Sequence, residues 1–286
     1  MYKALPRSIL YLLLCSSLGC DLVTDPLVAP GGDNSGGEGV TRKVLLEDFT
    51  GHRCNNCPAA TRTATQLHDV YGEDLIVVGV HATDFFGAPA NPPNSNGSYA
   101  TDFRTEAGTA YATTFSVSFL PTGMVSRRAF NSSLLQSSSA WGSDIADIIG
   151  QPADLDIWFS QLDYNPDDGT VSAEVKVAVV GPVTDDHNLT IYLIEDHVVD
   201  WQLDNEATPP DVENYEHRHV LRTTLNGTWG VPLITGAANT GDTITLSYPD
   251  FAVDPSWQPA NCALVAYAYN TASNEVMQVA ERNFQP

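Results

Sequence analysis

Basic residues are scarce in this chain: 13 lysines and arginines stand against 35 aspartates and glutamates, a formal net charge of −22. Nucleic acid and anionic membrane surfaces attract positive charge, so neither is an expected partner. Solubility and solvation, as in a saline habitat, account for the excess of acid without a cation-binding role. Long hydrophobic runs are missing too. Beyond the N-terminal stretch no segment reaches the length of a membrane-spanning helix, and no internal repeat is present. Cysteines number five, few enough for each to be assigned. What the chain does have is 286 residues with 43% hydrophobic content, enough for a sizeable core in one or two domains.

The N-terminus reads as a secretory signal over residues 1–19, with Lys3 and Arg7 ahead of the apolar run Ile9-Leu10-Tyr11-Leu12-Leu13-Leu14. It ends in Ser17-Leu18-Gly19-Cys20, which resembles the lipobox of bacterial lipoproteins, with Ser17 where Leu is usual. The resemblance implies that Cys20 is lipidated and anchors the chain to a membrane. Ordinary cleavage near Gly19 is the alternative. Residues 20–40, with Gly-Gly pairs, acids and prolines, read as the lipidated Cys and a flexible linker. Sequons at Asn96, Asn131, Asn188 and Asn226 carry no weight in a bacterium.

If Cys15 leaves with the signal and Cys20 takes lipid, Cys54, Cys57 and Cys262 remain. Cys262, in an apolar segment, reads as a small core residue. Cys54-Asn55-Asn56-Cys57 sits where the extended segment 43–49 hands over to a helical one. A helix N-terminus favours thiolate, and His52 and Arg53 add positive charge. A dithiol redox site is therefore the first expectation and a structural staple the second. Export places the pair in an oxidising compartment, where it closes as a Cys54–Cys57 disulfide unless a reductant opens it.

From 41 to 150 strand and helix alternate, as in an α/β architecture. Strands are expected at 43–49 and 75–81, the second apolar on both faces as a central strand is. A helix runs from the Cys motif through Pro58, with Ala60, Ala64, Leu67 and Tyr71 at helical spacing and Gly72 as its stop. A Pro/Asn/Gly-rich loop fills 87–98, and weaker helices are expected at 101–114 and 140–149, with a strand after Pro121. From 151 to 286 the texture is all-β. Strands are expected at 154–162, 171–180, 189–195, 217–225, 242–248, 263–269 and 275–283, a spacing that points to an Ig-like β-sandwich.

With these residues in hand, the first half resembles the thioredoxin superfamily. Asp48 lies six residues before Cys54, where that family places a buried acid beneath its dithiol. Cys54 and Cys57 match its nucleophilic and resolving cysteines, and Leu120-Pro121-Thr122 matches its cis-proline loop. Arg53 replaces the usual Trp and Asn55-Asn56 the usual Gly-Pro, so no redox potential carries over. The whole of 41–286 is similar to the thioredoxin-like 28-kilodalton outer-membrane lipoproteins of Gram-negative bacteria, through Tyr215-Glu216-His217-Arg218-His219-Val220-Leu221-Arg222 and Asn226-Gly227-Thr228-Trp229-Gly230 in the second half. The resemblance implies an outer-membrane lipid anchor facing periplasm or cell surface, no cofactor, and thiol–disulfide exchange with the thiols or disulfides of exported proteins. In that chemistry an exposed Cys54 attacks, Cys57 resolves, Asp48 takes or returns the Cys57 proton, and Pro121 holds the substrate backbone. Asp48 shares a strand face with apolar Val44 and Leu46, which implies burial.

Other readings stay open. The dithiol serves only as a structural disulfide in a scaffold or binding module whose function lies in the β-sandwich. Alternatively Cys54, Cys57 and either His52 or His81 hold copper or zinc, although His81 also reads as a strand-end residue with a hydrogen-bonded ring. His217 and His219 alternate onto one strand face, as a polar face or a metal grip. Asp167-Asp168-Gly169 reads as a hairpin turn rather than a calcium loop. Trp201, Trp229 and Trp257 are expected in the core or edge of the sandwich.

Overall fold

The computed structural model describes residues 39–284, so the expected signal peptide, Cys20 and nearly all of the linker lie outside the described residues. The two apolar segments of the first half pair in parallel, β1 (Val44–Thr50) against β2 (Leu75–His81), with Val44 opposite Leu75 and Thr50 opposite His81. Every residue of both strands is buried, which explains their unbroken apolar character. Between them runs α1 (Cys57–Tyr71), with Pro58 in its first turn and Gly72 closing it. β3 (Thr122–Val125) pairs antiparallel with the other edge of β1. The helix expected at 101–114 begins later, as α2 (Glu106–Thr114), because Thr105 is extended and caps it, its hydroxyl accepting from the Gly108 N–H. α3 (Ser138–Ala146) follows β3.

Side-chain alternation divides β1 between two cores. Val44 and Leu46 face α1 and α3, among Ala60, Ala64, Trp141 and Ile145. Leu45 and Phe49 face α2, with Tyr111, and this second core continues into the C-terminal half through Tyr192, Val265 and Tyr267.

The second half is β throughout: β4 (Leu155–Asn165), β5 (Thr170–Val179), β6 (His187–Glu195), β7 (Val198–Leu203), β8 (Asp211–His217), β9 (Val220–Thr224), β10 (Val231–Ile234), β11 (Thr243–Ala252), β12 (Cys262–Asn270) and β13 (Val276–Asn283). One mixed sheet takes the order β13-β12-β6-β9-β2-β1-β3, with β10 also on β6, and a second has the order β11-β5-β4. Leu155, Ile157 and Val175 of the small sheet share a core with Leu189, Ile191, Leu193, Leu264 and Ala266 of the large one.

The boundary expected at 150/151 does not divide the large sheet. β2 and β9 pair in parallel at Gly79 and Val220, and the Gly79 N–H donates to the His219 carbonyl at 2.8 Å. A Cβ on Gly79 would stand 3.2 Å from the Arg218 carbonyl oxygen, so the missing side chain is what lets the two segments approach. The described residues form one compact unit.

The strand expected at 217–225 is two strands. His219 adopts φ 52°, and the break at Arg218 and His219 ends β8 before β9 begins. β7 and β8 leave the main sheets as a separate two-stranded ribbon. Among the described residues no helix is long and apolar enough to cross a membrane.

Candidate functional site

The chain leaves β1 through Gly51 and reaches α1 by a tight turn, in which the Cys54 N–H donates to the Gly51 carbonyl at 2.9 Å. A Cβ on Gly51 would fall 2.6 Å from the Phe86 carbonyl carbon, so glycine lets this turn press against the π-helical turn Thr83–Gly87. The Arg53 N–H donates to the Phe86 carbonyl at 3.1 Å, and its guanidinium bonds the Phe85 carbonyl. Cys54 and Cys57 are joined in a disulfide with Cα atoms 5.4 Å apart.

Three expectations about this turn are corrected. α1 begins at Cys57 with Asn56 as its cap, so Cys54 lies two residues before the cap and not at the helix N-terminus. Cys54 is only 2% exposed and Cys57 1%, so the expected exposed nucleophile is covered. His52 supplies no local positive charge: it is wholly buried, and burial holds its pKa below the usual value. Its Nε2 sits 2.9 Å from the Ala88 carbonyl oxygen.

The cover comes from β7, β8 and the loop between them. Gln202 Nε2 donates to the Cys54 carbonyl at 3.1 Å and to the Leu203 carbonyl at 2.8 Å. The Leu203 N–H donates to the His52 carbonyl at 2.8 Å, and the Asn205 N–H to the Asn55 carbonyl at 3.0 Å. Asn205 Nδ2 donates to Asn56 Oδ1 at 2.9 Å. From α1, Arg62 reaches Asp204 at 2.9 Å and Glu206 at 2.5 Å. The ribbon is thus stitched to both ends of the Cys motif.

Asp48 lies on the α1 side of β1, 2% exposed. Its Oδ2 accepts from Thr61 Oγ1 at 3.3 Å, and Thr61 is one turn beyond Cys57 on the same helix face. Its Oδ1 is buried without a protein partner. Burial pushes the Asp48 pKa up to about 7, with the Thr61 hydrogen bond a smaller opposing effect. Asp48, Thr61, His81, Gln202, Tyr215 and His217 line a cavity with about 20 Å³ for the centres of water molecules.

His81 and His217 face each other there, ring centroids 5.5 Å apart, and Phe103 packs on both at 4.7 Å and 5.0 Å. Both ring nitrogens of His81 lack a protein partner, which corrects the expected hydrogen-bonded ring. His217 and His219 do not share a strand face, because the chain turns between them: the His219 ring packs 5.8 Å from His68 and beside Asp196.

The Leu120–Pro121 peptide is cis. Thr122 pairs with Phe49, so Pro121 lies near the end of β1 from which the Cys motif departs. Cys262 is buried in the core between the β layers. Among the described residues no three His, Cys, Asp or Glu side chains converge as a metal site. Asp167 and Asp168 sit in a turn held by the Asn165 side chain, which donates to Asp168 at 2.7 Å and accepts from the Asp167 N–H at 3.0 Å. Trp257 packs against the core of the β layers, but Trp229 packs on Tyr111 at 5.1 Å and Trp201 lies 6.2 Å from Tyr99.

Sequence reasoning missed Arg62, Gln202, Asp204 and Asn205 as neighbours of the motif. No spacing announces them, since Gln202, Asp204 and Asn205 meet the motif and Arg62 of α1 only across more than 140 positions of chain.

Among solved structures, HBP35 of Porphyromonas gingivalis matches at 18% identity over 85% of this chain and 75% of that one, with a TM-score of 0.62, a likeness of fold. A domain of the outer membrane lipoprotein Omp28 from the same organism matches at 22% identity over 47% of this chain and 90% of that one, TM-score 0.32. An Agrobacterium tumefaciens protein matches at 10% identity over 86% and 96%, TM-score 0.49. No curated protein matches. The family described as Outer membrane protein Omp28 matches residues 108–286. That span is more than half of the sequence and leaves Cys54 and Cys57 outside it, and on this match the chain belongs to the Omp28 family of outer membrane proteins.

Proposed function

We propose that this outer-membrane protein is a lipoprotein anchored through Cys20, and that Cys54 and Cys57 carry out thiol–disulfide exchange on exported proteins. In this reading 41–150 is the thioredoxin-like α/β part and 151–286 the Ig-like β-sandwich part of one compact body, the two sharing the large sheet. The observation that carries it is Asp48, a carboxyl group buried beside α1 with one oxygen unpartnered and a pKa near 7. Burying such a group is costly, and a structural disulfide has no use for it.

In the reduced form the Cys54 thiolate attacks a substrate disulfide and displaces one substrate thiolate. Cys57 gives its proton to Asp48 and attacks the Cys54 sulfur, which releases the second substrate thiolate and closes Cys54–Cys57. Two electrons pass to the substrate, and its two thiolates take protons. The reverse sequence oxidises a substrate dithiol. Either direction requires the tip of the ribbon, where Gln202 and the loop between β7 and β8 meet the motif, to swing away, because both cysteines are covered, while His217 at the opposite end of β8, paired with Val198, keeps its place.

That covering favours a second reading, a permanent staple. The reduction potential separates the two when measured in glutathione or dithiothreitol buffers on the soluble body. A value of about −270 to −120 mV supports exchange, and one below about −300 mV supports the staple.

A further inference from the structure

A carboxyl group that takes the Cys57 proton must lose it again before the next turnover, and Asp48 has no exposed oxygen through which to do so. The cavity beside it offers the route. Its room of about 20 Å³ for water centres is enough for one water molecule. Among the buried atoms without protein partners are Asp48 Oδ1, both ring nitrogens of His81, Nε2 of His217, Nε of Arg218 and Nδ1 of His219, and all five residues line this one cavity. Arg218 and His219 also line the cavity, with side chains 38% and 14% exposed.

We propose that His81 and His217 relay protons between Asp48 and solvent through this chamber, an inference that rests on the exchange reading. The Cys57 proton passes to Asp48 Oδ1, then through the cavity to an imidazole nitrogen, and leaves past the turn at Arg218 and His219. No electrons move in the relay, and one proton leaves for each Cys57 thiol consumed.

The surroundings suit a relay better than a store. Asp48 faces Thr61 of α1 and Tyr215 of β8. His81 faces His217 of β8, His52 of the β1–α1 turn and Arg222 of β9. His217 faces His52, Asp200 and Arg222. Burial, with the neighbouring histidines and Arg222, holds both imidazoles below their usual pKa, His217 at about 4 against Asp48 at about 7 and despite the opposing pull of Asp200, so neither stores a proton: an imidazole takes one from Asp48 only as it passes another on.

The test uses the full chain, reduced and then mixed with oxidised glutathione. Acid quenching resolves the first step, the mixed disulfide at Cys54, from the second, closure by Cys57. In His81→Gln and His217→Gln, closure is expected to slow at least about tenfold and to change its pH profile, with the first step unchanged. Closure at the wild-type rate in both folded variants overturns the relay and leaves exchange standing. A wild type that never forms the mixed disulfide overturns both. If the variants do not fold, closure by the wild type in mixtures of light and heavy water decides: a bowed dependence on deuterium fraction means several protons in flight, and a flat or linear one overturns the relay.

Discussion

Arg127 grips Glu47 through two hydrogen bonds of 2.8 Å, from Nε to Oε2 and from Nη2 to Oε1, with both side chains wholly buried. The Tyr192 hydroxyl donates to Glu47 at 2.8 Å and accepts from Tyr267 at 2.8 Å. The guanidinium lies 4.6 Å over the Tyr111 ring. Burial works against the Arg127 charge, but the adjacent carboxylate outweighs it and the pKa stands well above the usual value. One ion pair therefore ties β1 to β6, β12 and α2. Glu47→Gln leaves a buried cation without its counter-charge and is expected to cost about 3–5 kcal/mol in urea unfolding. Glu47→Leu combined with Arg127→Met is expected to cost less; an equal or larger loss would show that the pair itself is strongly stabilising.

The Asp48 carboxyl gives stability a distinctive pH dependence. Its folded pKa is about 7 against a usual 3.8, so between those values the folded state holds a proton that the unfolded chain has released. Stability is lost as pH rises from about 4 to 7, by up to about 4 kcal/mol. Asp48→Asn removes this loss. Urea unfolding at pH 5 and pH 8 should show the variant gaining on the wild type at the higher pH, and a constant difference would mean that Asp48 titrates normally.

The parallel strands and α1 were legible because their signals are local: unbroken apolar runs, Pro58 at the helix start, Gly72 at its end. Asp48 was legible from alternation with Val44 and Leu46. The ribbon was not. β7 and β8 carry Asp200, Asp211, Glu213 and Glu216, and their pairing buries little of either strand, so neither alternation nor an apolar run marks them. The burial of Cys54 follows from that ribbon, through a bond between Gln202 and Cys54 that spans 148 positions. His52, His81 and His217 likewise meet only because β2, β8 and the Cys turn fold together.

The seam between the halves depends on Gly79. Its missing side chain leaves room for the Arg218 carbonyl 3.2 Å from where a Cβ would sit, and Gly79→Val adds two further carbons at that contact. Overpacking of this kind costs about 1–3 kcal/mol. Thermal unfolding should show the loss, and hydrogen exchange should show the Gly79 N–H, now bonded to His219, opening faster. Unchanged protection at that amide would mean the seam tolerates a side chain.

The ribbon over the disulfide controls how fast a reductant reaches it, if exchange requires opening. Arg62 is partly exposed, so Arg62→Ala should scarcely alter global stability yet speed reduction by dithiothreitol about two- to fivefold, through loss of its contacts to Asp204 and Glu206. Gln202 is buried, and Gln202→Ala strips the Cys54 carbonyl of its donor. Loss of a buried hydrogen bond costs about 1–2 kcal/mol, which converts to about five- to thirtyfold faster opening. Trapping the freed thiols with a maleimide at intervals measures both rates. If neither variant changes the rate, the reductant reaches the sulfurs without displacing the ribbon, and the ribbon is a fixed wall of the site instead of a cover.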